Sequence, residues 1–205
     1  MNFETIAVFF ICLLIAMSIH EAMHGFVAHW LGDDTAHQEG RLTLNPVKHV
    51  DLYMTILLPT VMVALGLPPI LAAKPVPFDP YKVRFGEYGA ALVGLAGPFT
   101  NILLAIIGAV IVRLGGFAVG STMYAVFEIF ISLNVGLFVF NMMPIPPLDG
   151  SRLVYAFAPE PLQRVMRQIE SYGLLAVLAI FLLLFSFISP ILININTTII
   201  NLLLG

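Results

Sequence analysis

An apolar run that carries three ionisable side chains in five positions constrains this chain more than any other feature. Residues 3–31 include the stretch FFICLLIAM at 9–17, and His20, Glu21 and His24 follow it after two further residues. Ionisable groups are costly inside a bilayer, so those found there are candidates for function. On a helix, histidines four positions apart lie on one side and can together hold one Zn²⁺. The intervening glutamate of this HExxH pattern can act as general base for a water molecule, whereas a plain helix end reaching the headgroups would not require this spacing.

Composition indicates the class of protein. The chain has 205 residues, of which 60% are hydrophobic and 10% charged. Soluble domains carry about 25% charged residues, so the sequence predicts an all-α polytopic membrane protein embedded in a lipid bilayer. The net charge of −3 argues against nucleic acid as a partner, and one cysteine, Cys12, excludes a disulfide framework within the chain. Nothing in the composition indicates an oligomeric state.

Apolar runs of about 20 residues predict three spans, at residues 3–31, 88–112 and 121–140. Residues 52–67 are too few to span and contain Pro59, which favours a re-entrant segment. Residues 159–169 alternate apolar and charged faces and predict an interfacial amphipathic helix. Two further apolar segments, 173–188 and 191–204, flank Pro190. We therefore divide the chain into a membrane-embedded core at 1–155 and a region at 156–205 with the amphipathic helix and C-terminal transmembrane segments.

A short polar stretch after the first span has a period of two. Arg41, Thr43 and Asn45 alternate with Leu42 and Leu44 before Pro46. This alternation predicts a short β-strand near the inner face of the membrane. The proline-rich stretch around Val76 is compatible with a sheet edge and with an extended loop, and it excludes a helix.

Polar residues inside the later spans need partners. Asn101 lies in an apolar run, where its amide can bond another helix or face a reaction site, and the sequence leaves both open. Glu128 can reach the interface or pair with Arg113. Asn141 and Asp149 flank a bend with three prolines, which frees backbone groups and at membrane depth requires a protein interior or a wet cavity. The alternative for Asp149 is a simple Asp-Gly turn.

Three motifs together resemble the site-2 protease family of intramembrane zinc metallopeptidases. They are HEAMH at 20–24, GPFTN at 97–101 and NMMPIPPLDG at 141–150. The resemblance covers roughly residues 3–155 and implies a metalloprotease core of three transmembrane helices around one Zn²⁺ per chain. It implies His20, His24 and Asp149 as ligands, Glu21 as the catalytic base, and Asn141 as a residue that contacts substrate or oxyanion.

The resemblance also implies an activity, the hydrolysis of peptide bonds within or next to transmembrane segments of membrane-protein substrates. A helical substrate must unwind before its carbonyls can react, and the strand predicted at Arg41, Leu42, Thr43, Leu44 and Asn45 offers an edge onto which it could add, together with Val76. We also place Asn101 among the candidate substrate-binding residues.

Depth along the helices favours Asp149 as the third ligand. His20, His24 and Asp149 all follow about 20 residues of span, whereas Glu128 precedes Asp149 by 21 residues, or about 30 Å along a helix. The alternative is another HExxH family with Glu39, Glu87 or Glu128 as ligand. A metal-binding transporter and an inactive regulator are the alternatives from other classes.

Charge predicts orientation. Eight of the nine basic residues fall on one side of the predicted spans, and Arg113 falls on the other. The bias of lysine and arginine toward the cytoplasm predicts that the active site lies towards the cytoplasmic side. We expect a multi-pass protein of a prokaryotic cell membrane.

Overall fold

The structure is a computed structural model that describes residues 3–49, 51, 57 and 74–205. Its described part is helical and contains no strand. The helices are α1 (Phe3–Trp30), α2 (Thr35–Gln38), α3 (Glu87–Gly115), α4 (Thr122–Asn141), α5 (Gly150–Phe157), α6 (Glu160–Ser171) and α7 (Leu174–Leu204), with one 3₁₀ turn at Pro46–Lys48.

Four helices of the described part are long and apolar enough to cross a membrane: α1, α3, α4 and Ser186–Leu204 within α7. The predicted spans at 3–31, 88–112 and 121–140 correspond to the first three, and the protein is a membrane protein. An apolar run of this length forms a helix because the backbone must satisfy its own hydrogen bonds in lipid. Ser121 begins α4 by accepting a hydrogen bond from the backbone N–H of Tyr124.

Helix α3 is the centre of the bundle and packs against α1, α4, α5 and α7. Small residues on α3 make this possible: Ala105 and Ala109 join Ile131, Val135 and Val139 of α4 in one buried cluster. Lipid does not drive apolar helices together, so close contact through small residues stabilises such a bundle. On its other side α4 covers Leu13 and Met17 of α1.

The C-terminal region differs from the sequence prediction. We expected two segments separated at Pro190, whereas residues 174–204 form one continuous helix with that proline inside it. A proline removes one backbone donor, and a membrane helix tolerates this loss where neighbouring groups adjust. Residues 160–171 form the expected separate helix, α6.

The predicted strand at Arg41–Asn45 is wrong. Local turns hold this segment: the N–H of Thr43 donates to the Arg41 carbonyl, and the N–H of Asn45 donates to the Thr43 hydroxyl. The Asn45 side chain then accepts from the N–H of Val47 and begins the 3₁₀ turn. Short polar side chains that bond the nearby backbone compete with strand pairing, which explains why the alternation was misleading.

Residues 74–79, called the strap below, run from beside the Arg41 loop towards the start of α3. The N–H of Asp79 donates to the Asp33 carboxylate at 2.6 Å, and the N–H of Arg84 donates to the Leu31 carbonyl at 2.8 Å. Burial alone would raise the pKa of Asp33, but hydrogen bonds from Thr35 and Asp79 outweigh it and hold that pKa below its ordinary value. The strap is therefore fastened to the end of α1 by a carboxylate.

The end of α1 and the start of α3 lie at the same end of the bundle, as the bond between Leu31 and Arg84 requires. The predicted re-entrant segment at 52–67 lies outside the described residues, apart from position 57.

Candidate metal centre

Three ligand-type side chains from two distant parts of the chain meet at one point. His20 and His24 lie one turn apart on α1, and Asp149 lies between α4 and α5. Among the described residues they form the one group of three or more His, Cys, Asp or Glu side chains close enough to hold a metal ion. Both histidines are buried.

The distances within this group fit a tetrahedral ion. The Nε2 atoms of His20 and His24 are 3.1 Å apart, and they lie 3.1 Å and 3.4 Å from Oδ2 of Asp149. A tetrahedral Zn²⁺ bonded at about 2.0–2.1 Å separates its ligand atoms by about 3.3–3.4 Å. The three atoms therefore stand at the spacing of three corners of a zinc tetrahedron.

A chain of hydrogen bonds fixes the tautomer of His20. The Phe130 carbonyl can only accept, so the group of Asn134 that faces it, at 2.9 Å, is the amide nitrogen. The Asn134 oxygen then accepts from the Asn101 nitrogen at 2.9 Å, and the Asn101 oxygen faces Nδ1 of His20 at 2.5 Å. His20 must donate from Nδ1, which leaves its Nε2 as a lone pair.

His24 is held in the same tautomer by a simpler contact. Its Nδ1 lies 2.7 Å from the backbone carbonyl of Val93 on α3 and donates to it. In the neutral histidines both Nε2 lone pairs therefore face each other and the Asp149 carboxylate. A single proton could bond only some of these three acceptor atoms, whereas one divalent cation can bind all three. The three side chains therefore fit Zn²⁺ as its ligands.

Glycines on α3 create the space for this group. A Cβ on Gly97 would lie 2.4 Å from Nε2 of His24 and 2.6 Å from Nε2 of His20. A Cβ on Gly94 would lie 3.1 Å from the Asp149 carbonyl and 2.9 Å from Cβ of Arg152. The backbone of α3 thus presses against the imidazoles at one glycine and against the Asp149 bend at the other.

The proline-rich bend delivers Asp149 to the histidines. After α4 ends at Asn141, the N–H of Leu148 donates to the Ile145 carbonyl and the N–H of Ser151 donates to the Leu148 carbonyl. Gly150 is required because a Cβ there would lie 2.4 Å from the Met142 carbonyl. The chain therefore doubles back tightly, and α5 begins next to the metal-binding group.

Glu21 follows His20 on α1, and among the described residues its side chain makes one hydrogen bond. Its Oε2 accepts from the backbone N–H of Val76, in the strap, at 2.9 Å. Val76 itself is buried, and a Cβ on Gly25 of α1 would lie 3.0 Å from its side chain.

Asn101 and Asn141, two further residues predicted for the site, each make hydrogen bonds within the protein. Asn101 is fully buried, with its oxygen facing His20 and its nitrogen bonded to Asn134, so its amide groups are occupied inside the protein and it positions a histidine. Asn101 therefore bonds side chains of two other helices, α1 and α4, and its predicted place among the substrate-binding residues stays a prediction. The amide of Asn141 donates to the Leu137 carbonyl at 3.0 Å, and its predicted contact with substrate stays a prediction.

Residues 41–45, which were predicted to form an edge for substrate, make contacts within the protein. The Arg41 guanidinium donates to the carbonyls of Lys74 and Pro75 in the strap at 2.8 Å and 3.3 Å. The Thr43 carbonyl accepts from His49, and Leu44 is exposed. Leu42 packs close to Gly25. A role of Arg41–Asn45 in binding substrate stays a prediction, without the strand.

The three glutamates considered as alternative ligands lie elsewhere. Glu39 and Glu128 are exposed, and Glu87 is half-buried in the first turn of α3. The suggested pairing of Glu128 with Arg113 is absent from the described contacts, and Arg113 donates instead to the Leu202 carbonyl.

Sequence reasoning missed Asn134. It is fully buried in α4 and determines the orientation of Asn101. The available signal was an amide within an apolar span, which requires a partner just as Asn101 does.

Comparisons with known proteins agree with this geometry. A sequence profile of Peptidase family M50 matches residues 114–185. YwhC of Bacillus subtilis, named as a candidate zinc metalloprotease, is 37% identical over 180 residues, which cover 83% of this chain and 78% of that protein. Rip2 of Mycolicibacterium smegmatis, named in the same way, is 29% identical over 178 residues, which cover 82% of this chain and 64% of that protein.

Rip2 of Mycobacterium tuberculosis is 28% identical over 172 residues, covering 82% of this chain and 64% of its own length. No solved structure matches the chain. The identity to YwhC extends over most of both chains, and the profile match includes the proline-rich bend that carries Asp149. The chain therefore belongs to peptidase family M50, the site-2 protease family of zinc metalloproteases.

Proposed function

We propose that this protein is an intramembrane zinc endopeptidase that hydrolyses peptide bonds within or next to the transmembrane segments of membrane-protein substrates. One observation carries the proposal: three acceptor atoms converge at zinc spacing inside a bundle of apolar helices, with a carboxylate next to them in sequence. Regulated intramembrane proteolysis is the process that such an activity serves.

His20, His24 and Asp149 would hold the ion, with one position left for water or substrate. When bound there, Zn²⁺ supplies Lewis-acid polarisation of the peptide carbonyl and acidifies a water molecule. The remaining chemistry belongs to Glu21, which takes a proton from the attacking water and delivers it to the leaving amine. Asn101 and Asn134 keep His20 in the tautomer that presents Nε2 to the ion.

Substrate must reach this site in a non-helical form. In a transmembrane helix each carbonyl is bonded to an N–H four residues later, so the scissile carbonyl is shielded from attack. We infer that substrates carry residues that loosen the helix near the cleavage point. Extended backbone then exposes the carbonyl next to the histidines.

Metal removal and restoration tests the proposal. Purified protein reconstituted in liposomes with a single-span reporter should contain about one Zn²⁺ per chain and cleave the reporter. Chelation should remove both zinc and cleavage, and added Zn²⁺ should restore both, whereas Mg²⁺ should not because it prefers oxygen ligands. Elemental analysis and gel analysis of the reporter give the two readouts. Undiminished cleavage by metal-free protein would contradict a zinc mechanism.

We place the protein in a prokaryotic cell membrane, and its charge supports an orientation with the site towards the cytoplasm. Arg41, Lys74, Lys82 and Arg84 all lie in the connection between α1 and α3, next to the end of α1 that carries His24. The opposite connection, between α3 and α4, contains no lysine or arginine. Lysine and arginine favour the cytoplasmic side.

Labelling from each side of the membrane tests this orientation. In a Cys12→Ser background, we expect Tyr81→Cys to react from the cytoplasmic side and Val119→Cys from the other side. Both native side chains are exposed, at 94% and 84%, so neither replacement disturbs packing. Labelling of Tyr81→Cys in intact cells by a membrane-impermeant reagent would contradict the orientation.

A further inference from the structure

The strap has one backbone donor over three residues, and that donor meets Glu21. Pro75 and Pro77 carry no N–H, so Val76 supplies the sole backbone N–H of the sequence Pro75-Val76-Pro77. This N–H lies 2.9 Å from Oε2 of Glu21. Within the described residues the Glu21 side chain has no other hydrogen bond, so its second oxygen has no partner among them.

The acceptors of the strap are occupied as well. The carbonyls of Lys74 and Pro75 accept from the Arg41 guanidinium, and the N–H of Lys74 donates to the His49 carbonyl. A substrate strand therefore finds no free partner on residues 74–76 except the carbonyl of Val76. The edge predicted for substrate at Val76 stays a prediction, with the Val76 N–H already bonded to Glu21.

The strap is held on both sides of Val76. Arg41, which is buried, fixes the two preceding carbonyls, and Asp33 fixes the N–H of Asp79 three residues later. Phe78 packs into the cluster of Ala28, Val83 and Val93, at the junction of α1 and α3. The position of the Val76 N–H is thus determined by both helices that also carry or orient the histidines.

From these contacts we propose that the strap positions the catalytic base: the Val76 N–H, held in place by Arg41, fixes one carboxylate oxygen of Glu21 so that the other receives the proton of water. The inference rests on the proposed peptidase function. A glutamate has three rotatable side-chain bonds, and a small misplacement of a reacting group costs orders of magnitude in rate. A backbone donor on a proline-flanked segment restricts this freedom without adding a titratable group.

The first test removes the donor and keeps the chain extended. Val76 precedes Pro77, which favours extended backbone at this position, and Val76→Pro removes the N–H while it favours extended backbone as well. The matched control, Val76→Ala, removes the buried side chain and keeps the N–H. Both variants are assayed in liposomes with the single-span reporter. We expect kcat of Val76→Pro to fall about 10- to 100-fold below that of Val76→Ala, with KM and zinc content unaltered.

The second test changes Arg41, which holds two carbonyls of the strap. Arg41→Ala should lower kcat while KM stays constant, and Arg41→Lys, which keeps a charged donor group for the strap carbonyls, should restore part of kcat. An increase in KM at constant kcat would show that Arg41 binds substrate and would overturn the inference.

The remaining outcomes are also decisive. Equal kcat for Val76→Pro and Val76→Ala, a gain of activity in Val76→Pro, or loss of its zinc would each overturn the positioning role, the gain by showing that the strap obstructs the site. If the proposed peptidase function is itself wrong, the result is different, because zinc-loaded wild-type protein would then cleave no reporter.

Discussion

Replacing Glu21 by glutamine is expected to leave zinc bound and to abolish nearly all peptide cleavage. The amide keeps the size of the side chain and accepts the Val76 N–H, but it cannot take a proton from water. General base catalysis contributes about 10²- to 10⁴-fold, so cleavage of the reporter should fall by at least that factor. The measurement is single-turnover cleavage in liposomes with zinc analysis of the same sample.

Glu4→Gln is the matched control for this variant. It makes the same chemical change on the same helix, at an exposed position in the first turn of α1. We expect its cleavage rate and zinc content to equal those of wild type. Full cleavage by Glu21→Gln would remove the hydrolase assignment whatever the zinc content. A metal-binding transporter or a regulator would then be the better interpretation.

Removing the Asp149 carboxylate is expected to cost both metal and activity. Structural zinc sites bind with roughly 10–16 kcal/mol, or about 3 kcal/mol for each of four ligands, so Asp149→Ala should weaken zinc binding about 100-fold or more. Asp149→Asn, which keeps the shape of the side chain, should weaken it in the same direction. Zinc affinity measured by competition with a chelator checks both variants.

Glu128→Gln is the control for the third ligand. Glu128 is an exposed carboxylate on α4, the helix that precedes the Asp149 bend, and it was one of the alternative ligands in the sequence. We expect full zinc affinity and full cleavage from Glu128→Gln. If Asp149→Ala retained the zinc affinity of wild type, the ligand set of two histidines and Asp149 would be wrong.

The long helices could be predicted because lipid leaves the backbone few choices. Runs of apolar residues near 20 in length located α1, α3 and α4 with errors of a few residues at their ends. The spacing of His20 and His24 was sufficient to predict that both side chains lie on one side of a helix. Asp149 required the resemblance and the depth along two spans, since its position 125 residues after His24 gives no local signal.

Short sequence patterns gave wrong predictions at two places. Alternation over Arg41–Asn45 predicted a strand, but five residues contain too little information to distinguish pairing from turns made by polar side chains. Pro190 predicted a break that the helix α7 accommodates. Proline pattern alone cannot distinguish an exposed edge from a segment fixed against the Glu21 carboxylate. The contact of Val76 with Glu21 uses a backbone N–H, which every residue except proline has.

The order of the ligands along the chain has a consequence for biosynthesis. His20 and His24 are made early, whereas Asp149 follows about 125 residues later, which at roughly 5–20 residues per second means a delay of about 6–25 s. During that interval α1 lacks the third ligand, and Asn101 and Asn134, which orient His20, are themselves still to be made. Under the proposed function, a nascent chain would therefore be inactive. Metal binding and activity would begin only once the bend after α4 has brought Asp149 to the histidines of α1.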